Sequence, residues 1–277
     1  RALNLRLMAE RYDAVFDLHN NFRSRVLRNG LSNRVHVIHK RSFRRLLLTR
    51  LHINTMRNVP PVPERYIETA RRYGLRPDGA PPVLHPSDTA RENARRILVE
   101  RDVDPDSPGI GLCVGAKHFT KRWPVERFEE LAEQLHVRGA HLLLLGGAED
   151  RNTAAAILRR VPDRIVDLTG ALSLMETAAA MTSCAVVVAN DSGLMHMATA
   201  VGTPVVALFG STVREFGFFP SHAPAEVIEI SGLSCRPCTH IGRAACPRGH
   251  FSCLRDIPAT RVLDAIDRLR ARADGSS

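Results

Sequence analysis

The sequence lacks several features that would place it in other protein classes. No stretch approaches the roughly 18 consecutive apolar residues that a membrane-spanning helix needs, and residues 1–10 lack the apolar core of a secretory signal. Aromatic residues make up only 5% of the chain, and no aromatic RNA-binding motif is present. We therefore expect a cytoplasmic protein that does not bind nucleic acid.

Positive charge is concentrated at one end of the chain. The net charge is +10, and residues 1–80 contain 17 Lys and Arg but 6 Asp and Glu. A local basic face of this kind favours an anionic lipid surface or a phosphorylated substrate as partner. The alternative is an arginine-rich composition with solvated faces. Arg41, Arg44 and Arg45 form one of the densest basic stretches.

The order of apolar runs predicts an α/β protein. Beyond residue 108, short apolar strands alternate with helix-length amphipathic stretches, which is typical of a parallel, doubly wound sheet. Segments rich in Pro and Gly interrupt the chain between about 77 and 108. The pattern predicts an N-terminal domain with its linker over 1–107, a second domain over 108–260 and a final helix within 261–277.

Candidate ligand residues follow the strands of the second domain. Lys117, Thr120 and Lys121 lie in a loop that enters a helix at Trp123-Pro124. Cations beside the positive end of a helix favour a diphosphate, although a solvated basic loop is the alternative. Gly147 and Glu149 follow the next strand, where a carboxylate is suited to ribose hydroxyls. Glu149 serves equally well as a residue of the first helical turn.

The stretch from Asn190 to Ala198 is the most informative segment of the chain. An apolar run leads into it and another follows after a helix-length gap, so it predicts a tight turn and a helix between two strands. Free backbone N–H groups at the helix start favour a phosphate. The side chains and backbone expected to line this pocket are Asp191, Ser192, Gly193 and His196. A capped helix with a buried histidine is the alternative.

These segments, in this order, resemble glycosyltransferase family 9, the bacterial heptosyltransferases of the lipopolysaccharide inner core. The matching strings are Lys121-Arg122-Trp123-Pro124, Gly146-Gly147-Ala148-Glu149 and Asn190 to His196. The resemblance implies a GT-B type fold, with two Rossmann-like doubly wound domains facing a cleft. It implies an ADP-sugar donor, a lipopolysaccharide core precursor as acceptor, inversion in one displacement and no metal requirement. In such folds the last helix often crosses back to the first domain.

The resemblance also implies roles for particular residues. Lys121 would neutralise the leaving diphosphate, Glu149 would bind the ribose, and Asp191 would accept from sugar hydroxyls or orient Lys121. Family members carry their general base in an N-terminal Gly-Asp turn, which this sequence does not contain. We therefore expect an incomplete N-terminal domain, and the base stays unassigned, since Asp13 and Asp17 belong to a later strand.

Four cysteines cluster in a loop rich in Pro and Gly. Cys235, Cys238, Cys246 and Cys253 fall within 19 positions, which favours a small zinc or iron–sulfur site. A structural loop with reduced thiols is the alternative. Two other readings of the whole chain stay open: a family 9-like transferase with another nucleotide sugar or acceptor, and a non-catalytic protein that binds nucleotide sugars or senses metal.

Overall fold

A computed structural model describes residues 2–161, 163–220 and 223–274. The chain divides into two compact units. The first comprises residues 1–80 and 215–217, and the second comprises residues 81–214 and 218–277. In the part of the chain that is described, no helix is long and apolar enough to cross a membrane.

The first unit has two short parallel strands and four helices. Strand β1 pairs with β2 in register from Val15 opposite Val35. The elements are α1 (Ala2–Ala9), β1 (Val15–Asp17), α2 (Phe22–Arg28), β2 (Val35–Val37), α3 (Ser42–Leu51) and α4 (Val62–Glu68).

Asp17 is the buried polar centre of this small sheet. Its carboxylate accepts from the backbone N–H of Asn20 at 2.6 Å and from the Ser24 hydroxyl at 2.8 Å, and it pairs with Arg28 at 2.6 Å. Burial alone would raise the pKa of Asp17, but these contacts together hold the pKa below its ordinary value. Asp17 therefore organises the end of β1.

The second unit is a six-stranded, fully parallel sheet in the order β5-β4-β3-β6-β7-β8. The strands are β3 (Gly109–Cys113), β4 (Leu142–Leu145), β5 (Ile165–Asp167), β6 (Cys184–Asn190), β7 (Val205–Phe209) and β8 (Ala225–Glu229). The helices are α5 (Asp88–Val99), α6 (Val125–Val137), α7 (Arg151–Arg160), α8 (Leu174–Met181), α9 (Gly193–Ala200), α10 (Ser252–Arg255) and α11 (Ala259–Asp274).

Alternation along the strands divides the core of this unit between the two faces of the sheet. Leu142 and Leu144 belong to one cluster with residues of α6, α7 and α11. Leu143 and Leu145 belong to the other cluster, with residues of α8 and α9. All four leucines of β4 are buried. Helices on both faces explain why the strands are continuous apolar runs, as the sequence predicted.

One helix and one strand differ from the sequence prediction. Helix α5 was assigned to the N-terminal domain and linker, but its buried residue Leu98 packs in the core of the second unit. Helix α11 packs its apolar face, including Val262, Ile266 and Leu269, in the same unit. That this helix crosses back to the first domain stays a prediction. Strand β8 was missed, because Glu226 and Glu229 interrupt its apolar pattern.

Candidate functional site

The strand order creates a switch point in the second unit. From β3 the chain proceeds to β4 on one side, whereas β6 lies on the other side of β3 and leads on to β7. Ligands of open parallel sheets bind at the carboxyl ends of the strands that flank such a reversal. The loops after β3 and β6 are the two loops that carry Lys121 and Asp191.

Lys121 and Asp191 form an ion pair at this point. The Nζ atom of Lys121 lies 2.7 Å from Oδ2 of Asp191, and the two side chains are 14% and 4% exposed. The same Oδ2 accepts from the Thr212 hydroxyl at 2.6 Å. Since the sequence left open whether Asp191 binds sugar hydroxyls or orients Lys121, this geometry favours the second role.

Asn190, the last residue of β6, holds both ends of the loop after β3 through its side-chain amide. Its Oδ1 accepts from the backbone N–H of Trp123 at 2.9 Å, and its Nδ2 donates to the carbonyls of Val114 at 3.0 Å and Gly115 at 3.3 Å. Asn190 is fully buried. Sequence reasoning placed it in the motif but gave it no role; a buried amide at the end of an apolar strand was the available signal.

The start of α9 is not closed by a side-chain cap. Ser192 takes the N-cap position, but its hydroxyl makes no capping hydrogen bond, and its Oγ is buried without a hydrogen-bond partner among the described residues. A methyl group added at Gly193 would meet no atom within 4 Å. The start of α9 therefore lacks a side-chain cap and has space beside Gly193, which argues against the capped-helix alternative.

His196 lies one turn further along α9. Its side chain is exposed rather than buried, yet the protein atoms around the ring desolvate it and lower its pKa below the ordinary value. The charge of Asp191 opposes this shift and that of Lys121 adds to it. At neutral pH the imidazole is therefore uncharged and adds no further cation to the site.

Glu149 and Asp150, adjacent in sequence, have different surroundings. Glu149 is exposed and lies close over Gly147, since a methyl group there would come within 2.3 Å of its Oε2. Asp150 is buried and accepts from the N–H of Gly147 at 3.0 Å; burial raises its pKa. Glu149 is thus available to a ligand, and Asp150 shapes the loop. The N–H of Gly147 is already in use.

Lys117 and Thr120, the other two residues predicted after β3, differ in their exposure to solvent. Lys117 is exposed in the loop. Thr120 is buried, its hydroxyl accepts from the N–H of Arg243 at 2.8 Å, and its own N–H donates to the Arg243 carbonyl at 3.2 Å. Thr120 therefore anchors the loop to the cysteine-containing segment, and its hydroxyl has a partner within the protein.

Arg236 is a residue near the site that sequence reasoning missed. The Arg236 guanidinium donates to the carbonyls of Gly210 and Thr212, each at 2.7 Å, and pairs with Glu229. It fixes the loop after β7, which carries Thr212. Ser211 in that loop has a buried Oγ with no hydrogen-bond partner among the residues described.

The four cysteines of the loop lie close together, and the metal site that their spacing suggested stays a prediction. All four cysteines line one small cavity of about 20 Å³, and each is a free thiol. Within residues 2–161, 163–220 and 223–274, no group of three or more His, Cys, Asp or Glu side chains is placed to hold a metal ion.

Burial favours the protonated form of two of these thiols. It raises the pKa of Cys253 to about 12 and raises that of Cys238 as well. The Nε2 atom of His250 lies 3.7 Å from the Cys235 sulfur. Both the metal site and a structural loop with reduced thiols stay open as interpretations of this cluster. Cys113 and Cys184 lie outside this loop and are buried in their strands.

The fold and its solved neighbours define the class of protein as a GT-B type glycosyltransferase. The structure of E. coli ADP-heptose lps heptosyltransferase II matches with a TM-score of 0.72 and 27% identity, covering 99% of this chain and 81% of that one. A glycosyl transferase family 9 structure from Veillonella parvula DSM 2008 matches with a TM-score of 0.79 and 23% identity, covering 98% and 77%.

The sequence comparisons give the family. The sequence model of the family described as glycosyltransferase family 9 (heptosyltransferase) matches residues 1–247 of this chain. Lipopolysaccharide heptosyltransferase 2 of Escherichia coli (strain K12) is 28% identical over 97% of this chain and 78% of its own length. The chain belongs to glycosyltransferase family 9 and is a transferase, which removes the non-catalytic reading.

Proposed function

We propose that this chain transfers heptose from ADP-heptose to the inner core of lipopolysaccharide, with inversion at the anomeric carbon. The observation that carries the proposal is the buried Lys121–Asp191 pair at the switch point of the parallel sheet. The names of the relatives, which are lipopolysaccharide heptosyltransferases, support this donor and acceptor.

In this proposal the diphosphate of the donor lies between Lys121 and the start of α9. The Lys121 ammonium is held in place by Asp191 before any ligand arrives, and the helix contributes free N–H groups and the positive end of its dipole. The unpartnered Ser192 hydroxyl donates to a phosphate oxygen. Exposed Lys117 adds a second cation at the rim.

Glu149 binds the hydroxyls of the ribose in the same proposal. Its carboxylate is exposed at the end of β4, next to β3 in the sheet. Carboxylates in this position of doubly wound sheets accept from ribose hydroxyls. Gly147 leaves room for the carboxylate, whereas Thr120 holds the loop and His196 flanks the sugar as a neutral imidazole.

The proposed reaction is a single displacement. The oxygen of an acceptor hydroxyl attacks the anomeric carbon, the bond from that carbon to the ADP oxygen breaks, and the hydroxyl proton passes to a base. Negative charge develops on the leaving ADP, and preorganised donors that meet such charge lower the barrier. Lys121 and the N–H groups of α9 supply them. No residue is assigned as the base, since the carboxylate of Asp17 is occupied by protein donors.

Two features of the proposal concern what surrounds the enzyme. We infer a cytoplasmic location with peripheral contact between the basic first unit and the anionic inner-membrane surface, supported by the charge of residues 1–80. No nucleic acid is expected as a partner. No step of the transfer uses a metal ion, because Lys121 supplies the positive charge at the leaving group.

A second reading keeps the family but changes the sugar or the acceptor. The residues that carry the donor site contact the nucleotide half, so they do not distinguish heptose from other sugars. A transferase that uses another ADP-sugar fits the same Lys121, Glu149 and Ser192.

A turnover experiment tests the proposal. The full chain is supplied with ADP-heptose, ADP-glucose or GDP-mannose and a lipopolysaccharide acceptor that lacks the outer heptose, and products are identified by mass spectrometry. We expect one added heptose, with the opposite anomeric configuration to the donor, from ADP-heptose alone. Transfer from ADP-glucose or GDP-mannose instead would establish the second reading, and the absence of product from all three donors, in a folded sample, would contradict both.

A further inference from the structure

The cysteine loop, residues 235–253, holds the segment of chain that immediately precedes Lys121. Each of the three residues before this lysine contacts a different residue of the loop: His118 lies against Gly242, Phe119 against Phe251 and Thr120 against Arg243. The backbone that carries Lys121 into the donor site is therefore fixed by the loop.

These contacts are close and differ in kind. The rings of Phe119 and Phe251 stack with their centroids 4.8 Å apart. A methyl group added at Gly242 would come within 2.5 Å of the His118 Cβ, and the φ of Gly242 is +114°, a conformation that other residues rarely adopt. Glycine at this position is what lets the loop approach the segment so closely.

Arg236 connects the same loop to the residues that follow β7. Its side chain is 8% exposed, and its guanidinium donates to the carbonyls of Gly210 and Thr212, each at 2.7 Å, and to that of Ile230 at 3.1 Å. The carboxylate of Glu229 pairs with its charge. Because each nitrogen of the guanidinium has an acceptor, the planar group and the backbone it binds are held in one geometry.

Thr212 links the loop after β7 to Asp191. Thr212 is 2% exposed, and its hydroxyl donates to Oδ2 of Asp191 at 2.6 Å, the same oxygen that Lys121 meets at 2.7 Å. One carboxylate oxygen thus receives two donors, one from each of the two loops that the cysteine loop holds. Buried polar networks whose members are satisfied are rigid, so Lys121 is in place before a ligand binds.

We propose that the cysteine loop is a positioning element for the transfer step, and that Arg236 and Thr212 are positioning residues that act through Lys121. The word transfer rests on the proposed function, whereas the placement of Lys121 rests on the contacts alone. A cation that is already in place when charge develops on the leaving diphosphate needs no reorganisation in the transition state. The loop thus contributes to the rate by holding the residues that meet the donor.

Two substitutions at Thr212 separate the effect of its hydroxyl from that of its shape. Thr212→Val keeps the shape and removes the donor to Asp191, whereas Thr212→Ser keeps the donor. We expect Thr212→Val to lower kcat for ADP-heptose turnover by about tenfold, with the KM for ADP-heptose within about twofold, and Thr212→Ser to retain the original kcat. Equal kcat in the two variants, or a change in KM alone, would overturn the proposal.

A double substitution tests whether Arg236 acts through Lys121. We expect Arg236→Gln to lower kcat by about tenfold in the otherwise unchanged chain and by less than about twofold in the Lys121→Ala protein, because the group it positions is then gone. Arg261→Gln is the control, since Arg261 is exposed and donates to the backbone carbonyl of Glu229 at 2.9 Å, and should leave kcat unchanged. Equal falls in both backgrounds would overturn the proposal; if Arg236→Gln does not fold, the Thr212 pair decides.

Nitrogen-15 NMR of the lysine ammonium groups tests the placement without turnover. The chain has three lysines, Lys40, Lys117 and Lys121, so the Lys121 signal is assigned by its loss in Lys121→Ala. Since hydrogen-bonded ammonium protons shielded from water exchange slowly, we expect a resolved Lys121 signal that Thr212→Ser retains and Thr212→Val loses. A signal that persists in Thr212→Val would overturn the proposal. If no nucleotide sugar is turned over, the proposed function fails, and this measurement still decides the placement.

Discussion

Two groups of cations, one in each unit of the chain, differ in how they are paired. In the second unit Lys121 meets the buried carboxylate of Asp191 at 2.7 Å, and Arg236 pairs with Glu229. In the first unit the Nε atoms of Arg41 and Arg65 are buried without a partner among the described residues.

Lys121 is positioned by a carboxylate of the protein before any ligand binds. Arg41 and Arg65 have a buried nitrogen that lacks an acceptor among the described residues. A cation held by its own carboxylate needs no reorganisation when charge develops in the transition state, which is how electrostatic catalysis works. Cations without a carboxylate gain more from binding an anion, because binding supplies their missing acceptor. The first arrangement suits a leaving group, and the second suits recognition.

Removal of the positioned cation should have the largest effect. We expect Lys121→Ala to lower kcat for donor turnover by about 10²–10³-fold, the range seen when one preorganised donor to a developing oxyanion is lost. Steady-state kinetics with ADP-heptose measure it. Arg138→Ala is the control, since Arg138 forms an exposed ion pair with Asp267 at the far end of α6. Equal kcat in the two proteins would contradict the role of Lys121 at the leaving diphosphate.

The first unit also contains a cation that is held by a carboxylate, in the ion pair between Arg28 and Asp17. Because the folded pKa of Asp17 is depressed, its stabilisation is present above the unfolded pKa near 3.9 and is lost as the pH falls through the folded pKa. We expect Asp17→Asn to cost about 1–3 kcal/mol at neutral pH and the cost to shrink in acid. Hydrogen exchange of β1 and β2 measures it.

Asp13→Asn provides the matched control for that experiment. Asp13 belongs to the same segment but is exposed, so its substitution should leave the exchange rates of the small sheet unchanged. A cost for Asp17→Asn that stays constant down to pH 2 would contradict the account of its pKa.

A smaller effect is expected at the ribose. Glu149→Ala should weaken ADP binding by about tenfold, the value of one charged hydrogen bond, without altering thermal stability. The affinity for 2′,3′-dideoxy-ADP, which lacks the hydroxyls, should be the same in both proteins. Equal loss for both ligands would assign Glu149 to the loop structure rather than to the ribose.

Metal removal should have no effect on the transfer. Lys121 and the start of α9 provide the positive charge at the diphosphate, so turnover with EDTA should equal turnover without it. Loss of activity in EDTA that added Mg²⁺ restores would show that a second cation shares the task assigned to Lys121.

The sequence was sufficient for most strands of the second unit because their signals are local. Continuous apolar runs predicted β3, β4, β6 and β7, and the capping box of Ser173 with Glu176 at the start of α8 is likewise a pattern of neighbouring residues. The sequence left two roles open for Asp191, and one of them was to orient Lys121. Their pairing depends on β3 and β6 being neighbours, which the order of elements along the chain does not state.

The features that were missed depend on tertiary packing. Nothing in the pattern separates exposed Glu149 from buried Asp150, since the two are adjacent acids in one turn. Arg41 and Arg65 are far apart in sequence but line the same groove of the first unit. Composition therefore showed the positive charge but not how the side chains come together. The four cysteines have the spacing of a metal site, but spacing alone does not decide between that site and a loop of reduced thiols.

The most direct test is calorimetric titration of the chain with ADP in the absence of added metal, repeated with Lys121→Ala. The account predicts micromolar binding to the chain and a loss of about 1–3 kcal/mol, or about one to two orders of magnitude, in the variant. Binding that is equal in the two proteins, with both shown to be folded, would contradict the assignment of the diphosphate to Lys121.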